Sequence, residues 1–318
     1  MILTYAYQEN FGNYPSKGFW KPNGDRFVYS QLIQYKEYMN KSFIETYELK
    51  GDAFQKVKVS SASQSLYRDI ENKKVLLIVN ESWGVPNNPA INKAVMKDLI
   101  NNKNVINFKE SYLDFKGYTL SGELRELCQK VPSHFNLKDQ KTGFENCLPN
   151  IYKKKGYETV AVHGALGIMY DRKFWYPRAG FNTLLFRDEG LNLHESFCYS
   201  FPGNCDSDIA LKVEEQFNKN DSLFLYWLTL NTHSIFDLRD LKQDYLSCED
   251  INVDIKSAAC RNLKLQAQFF NTLSNLVNSE SMKGTKVIVV GDHEPPIIEN
   301  ENETFIESQV PVIEFEVN

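Results

Sequence analysis

The chain has 318 residues, 42% of them hydrophobic and 24% charged, ordinary for a globular protein with a sizeable core. Its net charge of -5 is spread without a basic block, which argues against nucleic acid as a main partner. No apolar run approaches the roughly 20 residues of a membrane-spanning helix, and the N-terminus lacks a basic stretch followed by an apolar core, so the chain as it stands reads as soluble.

Residues 1–72 are aromatic and polar, punctuated by Pro15, Gly18, Pro22 and Gly24, with a helix-like stretch near 29–46. They read as a lead-in segment packing on a main domain of residues 73–318. From Lys73 onward, apolar runs of strand length recur: VLLIV (75–79), ETVAVH (158–163), LFLYWLTL (223–230) and KVIVV (286–290). Continuous Val/Ile/Leu runs, unlike alternating ones, suit strands buried on both faces of a parallel sheet. Helices are predicted between them at about 90–102, 120–129, 206–218 and 258–279. That order predicts an α/β fold, a mainly parallel sheet with helices on both faces.

The six cysteines fall in short-range pairs: Cys128 with Cys147, Cys198 with Cys205, and Cys248 with Cys260. None has the CxxC spacing of a zinc or redox motif. An even, locally paired set suits disulfides in an oxidising compartment, and six buried thiols in a cytosolic protein is the alternative. Bridged cysteines would make the chain an extracytoplasmic piece whose targeting segment is not included.

Each of the four buried strands ends in a chemically capable group: Glu81 after VLLIVN, His163 after TVAV, His233 after LTLNT, and Asp292 with His293 after VIVVG. Singly each has a plain role, Glu81 as a helix cap, Asp292 as a turn former ahead of Pro295 and Pro296, a histidine as a bonded loop residue. Ligands of open α/β sheets bind at the carboxyl ends of the strands, however, so the four can share one site. Two carboxylates and an imidazole suit a divalent ion such as zinc, manganese or magnesium.

The stretch GYTLSGELRELC (117–128) offers a nucleophile. Gly117 permits a turn, Thr119 opens an amphipathic helix, and Glu123 and Glu126 fill its first turns. A hydroxyl there faces free backbone amides and the positive end of the helix dipole, a place for a phosphoryl group. The competing reading is that Thr119 or Ser121 only caps the helix.

NESWG with Glu81, GYTLSGEL with Thr119, the HG, MYDR and GF segments between His163 and Phe181, NTHS with His233 and GDHEPP with Asp292 and His293 together resemble the motif series of the alkaline phosphatase/sulfatase superfamily. Within it they are most similar to lipoteichoic acid synthase-like phosphoglycerol transferases and phosphoethanolamine transferases, over about residues 73–316. The resemblance implies an alkaline phosphatase-like α/β/α sandwich and one divalent ion, zinc or manganese with magnesium as a third candidate. Glu81, Thr119, Asp292 and His293 would bind it, with Thr119 also the nucleophile. His233 would hydrogen-bond the substrate phosphate or protonate the leaving alcohol. Tyr170 and Arg172 would hold the headgroup, with His163 lining the pocket. Where the synthases have Trp-Asn-Arg, this chain has Tyr170, Asp171 and Arg172.

The implied reaction moves phosphoglycerol or phosphoethanolamine from a phospholipid to an envelope glycan or lipid through a phosphothreonine. The implied location is the periplasmic or extracytoplasmic face of a bacterial inner membrane, with the full-length protein membrane-anchored. The alternatives are a phosphodiesterase or phosphatase of the same superfamily and a non-catalytic binding module. Sulfate-ester hydrolysis is disfavoured: the sulfatase motif Cys-x-Pro-x-Arg has its only near match at Cys147, Pro149 and Ile151, which lacks the arginine and lies late in the chain.

Overall fold

The computed structural model describes residues 49–57, 59–68, 70–297 and 304–318, and the helix-like stretch near 29–46 lies outside them. In chain order the elements are β1 (Lys74–Asn80), α1 (Pro89–Val95), α2 (Lys97–Ile100), β2 (Val105–Asp114), α3 (Thr119–Cys128), α4 (Leu148–Lys154), β3 (Glu158–His163), α5 (Arg172–Ala179), β4 (Thr183–Phe186), α6 (Asp206–Lys219), β5 (Leu223–Leu228), α7 (Ala258–Leu276), β6 (Lys286–Gly291) and β7 (Gln309–Val317), with short 3-10 turns between some of them.

The seven strands form one sheet in the order β2-β7-β6-β1-β5-β3-β4. The run from β6 to β4 is parallel throughout, while β7 runs antiparallel to both β6 and β2. Because side chains alternate across a strand, Leu76 and Ile78 of β1 enter one core and Val75, Leu77 and Val79 the other. The first core holds apolar residues of α1, α2, α6 and α7, and the second those of α3, α4 and α5. This is the α/β sandwich the continuous apolar runs predict.

The part of the lead-in that is described packs on the second face. Ala53, Phe54 and Leu66 join that core, and the Glu126 carboxylate of α3 accepts from the backbone N–H groups of Ala62 and Ser63 at 3.3 and 2.9 Å. All six cysteines are bridged in the three short-range pairs, which displaces the free-thiol alternative. Among the described residues no helix is long and apolar enough to cross a membrane.

Several boundaries differ from expectation. The helix expected over 90–102 is two short helices that part at Met96. The strand expected to reach 230 ends at Leu228, because the buried Asp206 Oδ2 takes the N–H groups of Leu230 and Asn231 at 2.9 and 2.7 Å and turns the chain out of the ladder. The helix expected to reach 279 ends at Leu276.

Candidate functional site

Because β1, β3, β5 and β6 are parallel, their carboxyl ends share one edge of the sheet, and β6, β1, β5 and β3 are successive neighbours there. Glu81 directly follows β1, Asp292 and His293 directly follow β6, His163 closes β3, and His233 stands five residues beyond β5. The end of β1 is tied to its surroundings through side chains. Asn80 donates to Gln266 Oε1 of α7 (2.7 Å) and accepts from Thr229 Oγ1 (2.9 Å), which in turn accepts from the Glu81 N–H (2.8 Å). Gln266 also donates to the carbonyls of Glu81 and Ser82. These bonds hold Ser82 at a φ of 49°, a left-handed conformation costly for a residue with a Cβ and of the kind that gathers at functional sites.

Asp292 is fully buried. Its Oδ1 accepts the N–H groups of Ser82 (2.7 Å) and His293 (2.6 Å), whereas Oδ2 has no hydrogen-bond partner. An orphaned carboxylate oxygen at such depth calls for a cation or a proton. His293 Nδ1 meets the Glu294 carbonyl at 2.8 Å. A carbonyl can only accept, so Nδ1 carries the proton and Nε2 presents its lone pair. That nitrogen lies 3.3 Å from Asp292 Oδ2 and 3.6 Å from Glu81 Oε1. Both spans are near the roughly 3.3–3.5 Å that separates two ligands of a four-coordinate ion with bonds of about 2.0–2.2 Å. Glu81, Asp292 and His293 therefore fit a single divalent ion, and oxygen and imidazole donors without a thiolate suit zinc, manganese or magnesium.

The electrostatics agree. Burial first and the neighbouring Glu81 charge second push the Asp292 carboxyl up to about 7. Burial would lower His293, but Asp292 and Glu81 together outweigh it and raise its pKa. The cluster thus holds an excess of negative charge that positive charge would relieve. A second grouping, Cys198 and Cys205 with Asp240, has both sulfurs in one disulfide and is no candidate.

Thr119 is the first residue of α3, preceded by Tyr118 as N-cap, which makes no capping bond with its side chain. The Thr119 hydroxyl instead donates to Glu81 Oε2 at 3.3 Å, so the simple capping reading does not describe it. Its placement depends on a close approach at Gly122: a Cβ there would lie 2.9 Å from both Cα and O of Asp292. Arg125 of the same helix donates to the Gly291 carbonyl at 2.7 Å and fixes the end of β6.

Glu81, Thr119, His163, Tyr170, Arg172 and His233 line one shallow, open recess with Phe201, Met169, Ala165 and Leu230. His163 Nδ1 meets the Leu228 carbonyl at 3.0 Å, and His233 Nδ1 meets that of Ser234. Both rings therefore carry their proton on Nδ1. Burial lowers the pKa of both, His163 well below its usual value and His233 to about 4. The resting His233 is thus neutral. Tyr170 and Asp171 both have positive φ, 50° and 56°, and this turn starts α5 at Arg172, whose guanidinium lies 5.0 Å from the Tyr170 ring centroid.

All sequence-predicted site residues meet at this edge: Glu81, Thr119, Asp292 and His293 at one end, His163, Tyr170, Arg172 and His233 around the recess. Sequence reasoning missed Glu123. It treated this acid as first-turn filler, yet its buried carboxylate binds Arg172, with Nη2 to Oε2 at 2.8 Å. The available signal was its spacing, four residues after Thr119 and so on the same helical face.

The seven-stranded, mostly parallel sheet with helices on both faces is an alkaline phosphatase-like α/β fold. The chain belongs to the Sulfatase family, whose sequence signature matches residues 73–311. Membership does not bring the sulfatase nucleophile, since Cys147, its only near match, is bridged to Cys128. No curated protein sequence matches the chain.

Solved structures share the fold at low identity. The lipoteichoic acid synthase LtaP from Listeria monocytogenes is 15% identical with a TM-score of 0.57, over 81% of this chain and 69% of that one. An alkaline phosphatase superfamily protein from Vibrio parahaemolyticus is 15% identical with a TM-score of 0.59, over 98% and 71%. The phosphoglycerol transferase GacH of Streptococcus pyogenes, solved with sn-glycerol-1-phosphate, is 13% identical with a TM-score of 0.54, over 80% and 72%.

Proposed function

We propose that the protein is a metal-dependent transferase that moves a phospholipid headgroup phosphate, phosphoglycerol or phosphoethanolamine, to an envelope glycan or lipid through a phosphothreonine at Thr119. The observation that carries this reading is the Thr119 hydroxyl, 3.3 Å from Glu81 at the N-terminus of α3 and in one recess with His233 and Arg172. The fold shared with a lipoteichoic acid synthase and a phosphoglycerol transferase supports the donor class.

A divalent ion held by Glu81, Asp292, His293 and Thr119 would lower the pKa of the hydroxyl and offset charge on the phosphoryl oxygens. In the first displacement the Thr119 Oγ–phosphorus bond forms and the phosphorus–oxygen bond to the lipid alcohol breaks. The threonine proton departs along its hydrogen bond to Glu81, and the lipid alkoxide gains a proton. His233 is the imidazole we assign to that second transfer. Neutral at rest, it takes up a proton as the anionic phosphate enters beside it. In the second displacement the acceptor hydroxyl gives its proton to the now neutral His233 as its oxygen bonds phosphorus, the Thr119 Oγ–phosphorus bond breaks, and Thr119 takes back the proton held at Glu81. Arg172 binds the phosphate oxygens, and Tyr170 and His163 border the headgroup.

In this reading the domain works at the extracytoplasmic face of a bacterial inner membrane, and its three disulfides support an oxidising compartment. The test is the intact mass of wild type and Thr119→Ala after separate incubation with phosphatidylglycerol and phosphatidylethanolamine. A headgroup-phosphate adduct with one lipid, absent from Thr119→Ala, is expected and names the donor. No adduct with either lipid in the metal-loaded protein would overturn the phosphothreonine mechanism.

A further inference from the structure

Glu123 lies one turn along α3 from Thr119, on the same face of the helix and fully buried. Its carboxylate grips one edge of the Arg172 guanidinium: Nε donates to Oε1 and Oε2 at 3.2 and 3.1 Å, and Nη2 to Oε2 at 2.8 Å. The hydroxyls of Tyr176 and Tyr226 also donate to Oε1, the latter at 3.4 Å. With four donor atoms converging on it, this carboxylate has no freedom to turn. Among the described residues, no protein group hydrogen-bonds Nη1 of Arg172, a residue that lines the recess. The Nη1/Nη2 edge is therefore the part of the fork left for an anionic oxygen. The Tyr170 ring covers the same guanidinium, 5.0 Å from centroid to Cζ.

We propose that Glu123 is a positioning residue for phosphoryl transfer: it turns the open edge of Arg172 onto the phosphodiester, and α3 sets the distance between that edge and the Thr119 hydroxyl. The proposal rests on the transferase reading above. One rigid helix holds both ends of the arrangement, the nucleophile in its first turn and the clamp on the arginine in its second. A buried ion pair is a poor device for stability alone, because desolvation offsets its attraction. Its value here lies in orientation: a displacement of about 1 Å at a reacting group costs on the order of 100-fold in rate.

The experiment measures the rate of Thr119 adduct formation and its half-saturating lipid concentration, using detergent-dispersed phosphatidylglycerol and, separately, phosphatidylethanolamine. Wild type, Glu123→Gln, Arg172→Ala, the double variant and Thr119→Ala are compared, with metal content and Tm recorded for each. Glu123→Gln is expected to lower the specificity constant by about 100-fold at unchanged metal content. The double variant should be no worse than Arg172→Ala, as required of two residues acting as one unit. Wild-type kinetics in Glu123→Gln, or effects that multiply in the double variant, would overturn the positioning role while leaving the phosphothreonine intact. An undiminished adduct in Thr119→Ala would instead sink the transferase reading itself. If Glu123→Gln does not fold, Arg172→Lys decides: it keeps the charge but lacks the fork, so it should match Arg172→Ala, and full activity would refute the need for an oriented edge.

Discussion

Removing the charge of Asp292 should stabilise the metal-free protein, although the residue is placed at the heart of the site. Burial and then the Glu81 charge move its carboxyl from an ordinary 3.8 to about 7. The folded state keeps this proton up to about 7 while the unfolded chain releases it near 3.8, so the group has no effect below 3.8 and stability is lost progressively as pH rises between the two values. At pH 8 the loss is about 4 kcal/mol. For a chain of this size that corresponds to about 8 °C, at roughly 2 °C per kcal/mol. Asp292→Asn keeps an oxygen for the Ser82 and His293 amides and removes the charge. Scanning calorimetry of chelator-treated protein should therefore show the variant melting several degrees above wild type at pH 8, with the gap shrinking to about a third at pH 5. Adding zinc should raise the Tm of wild type far more than that of the variant. A variant less stable than wild type by the same margin at both pH values would refute this account of the cluster's electrostatics.

Gly122→Ala should force α3 away from Asp292, because the new methyl meets backbone at 2.9 Å and not a side chain that can swing aside. The expected cost is about 1–3 kcal/mol of stability, seen in chemical denaturation, together with weaker metal binding in a zinc titration. Reducing the Cys128–Cys147 bridge, which spans 19 residues between α3 and α4, should cost about 3 kcal/mol, read as a lower denaturation midpoint after selective Cys→Ser replacement of the pair. His233, lowered to about 4 by burial, should show no NMR titration between pH 5 and 8 in the ligand-free protein; a midpoint near 6.5 would contradict its burial.

The centre of the sheet was legible because β1, β3, β5 and β6 are covered on both sides, which forces uninterrupted apolar runs that polarity alone reveals. The outer strands were not. β2 exposes most of its residues, and its register shifts between Ile106 and Lys109, where Asn107 takes a φ of 54°. β4 has four residues, and β7 carries Pro311 inside its span. α5 was missed too, since Pro177 and a run of bulky aromatic residues resemble a loop more than a helix. The residues at the strand ends were legible by type, as acids and imidazoles directly after apolar runs. Their supports were not, because the links from Glu123 to Arg172, Asn80 to Gln266 and Arg125 to Gly291 join positions 49, 186 and 166 residues apart. Nothing local in the sequence marks such partners.

The proposed metal centre is tested most directly by counting divalent ions in the purified protein by inductively coupled plasma mass spectrometry, wild type beside Asp292→Asn and His293→Ala. About one equivalent in wild type, largely lost in both variants while their folds persist by circular dichroism, is the expected result. A wild type that binds no divalent ion after incubation with zinc, manganese and magnesium, or variants that bind as well as wild type, would contradict the assignment of Glu81, Asp292 and His293 as its ligands.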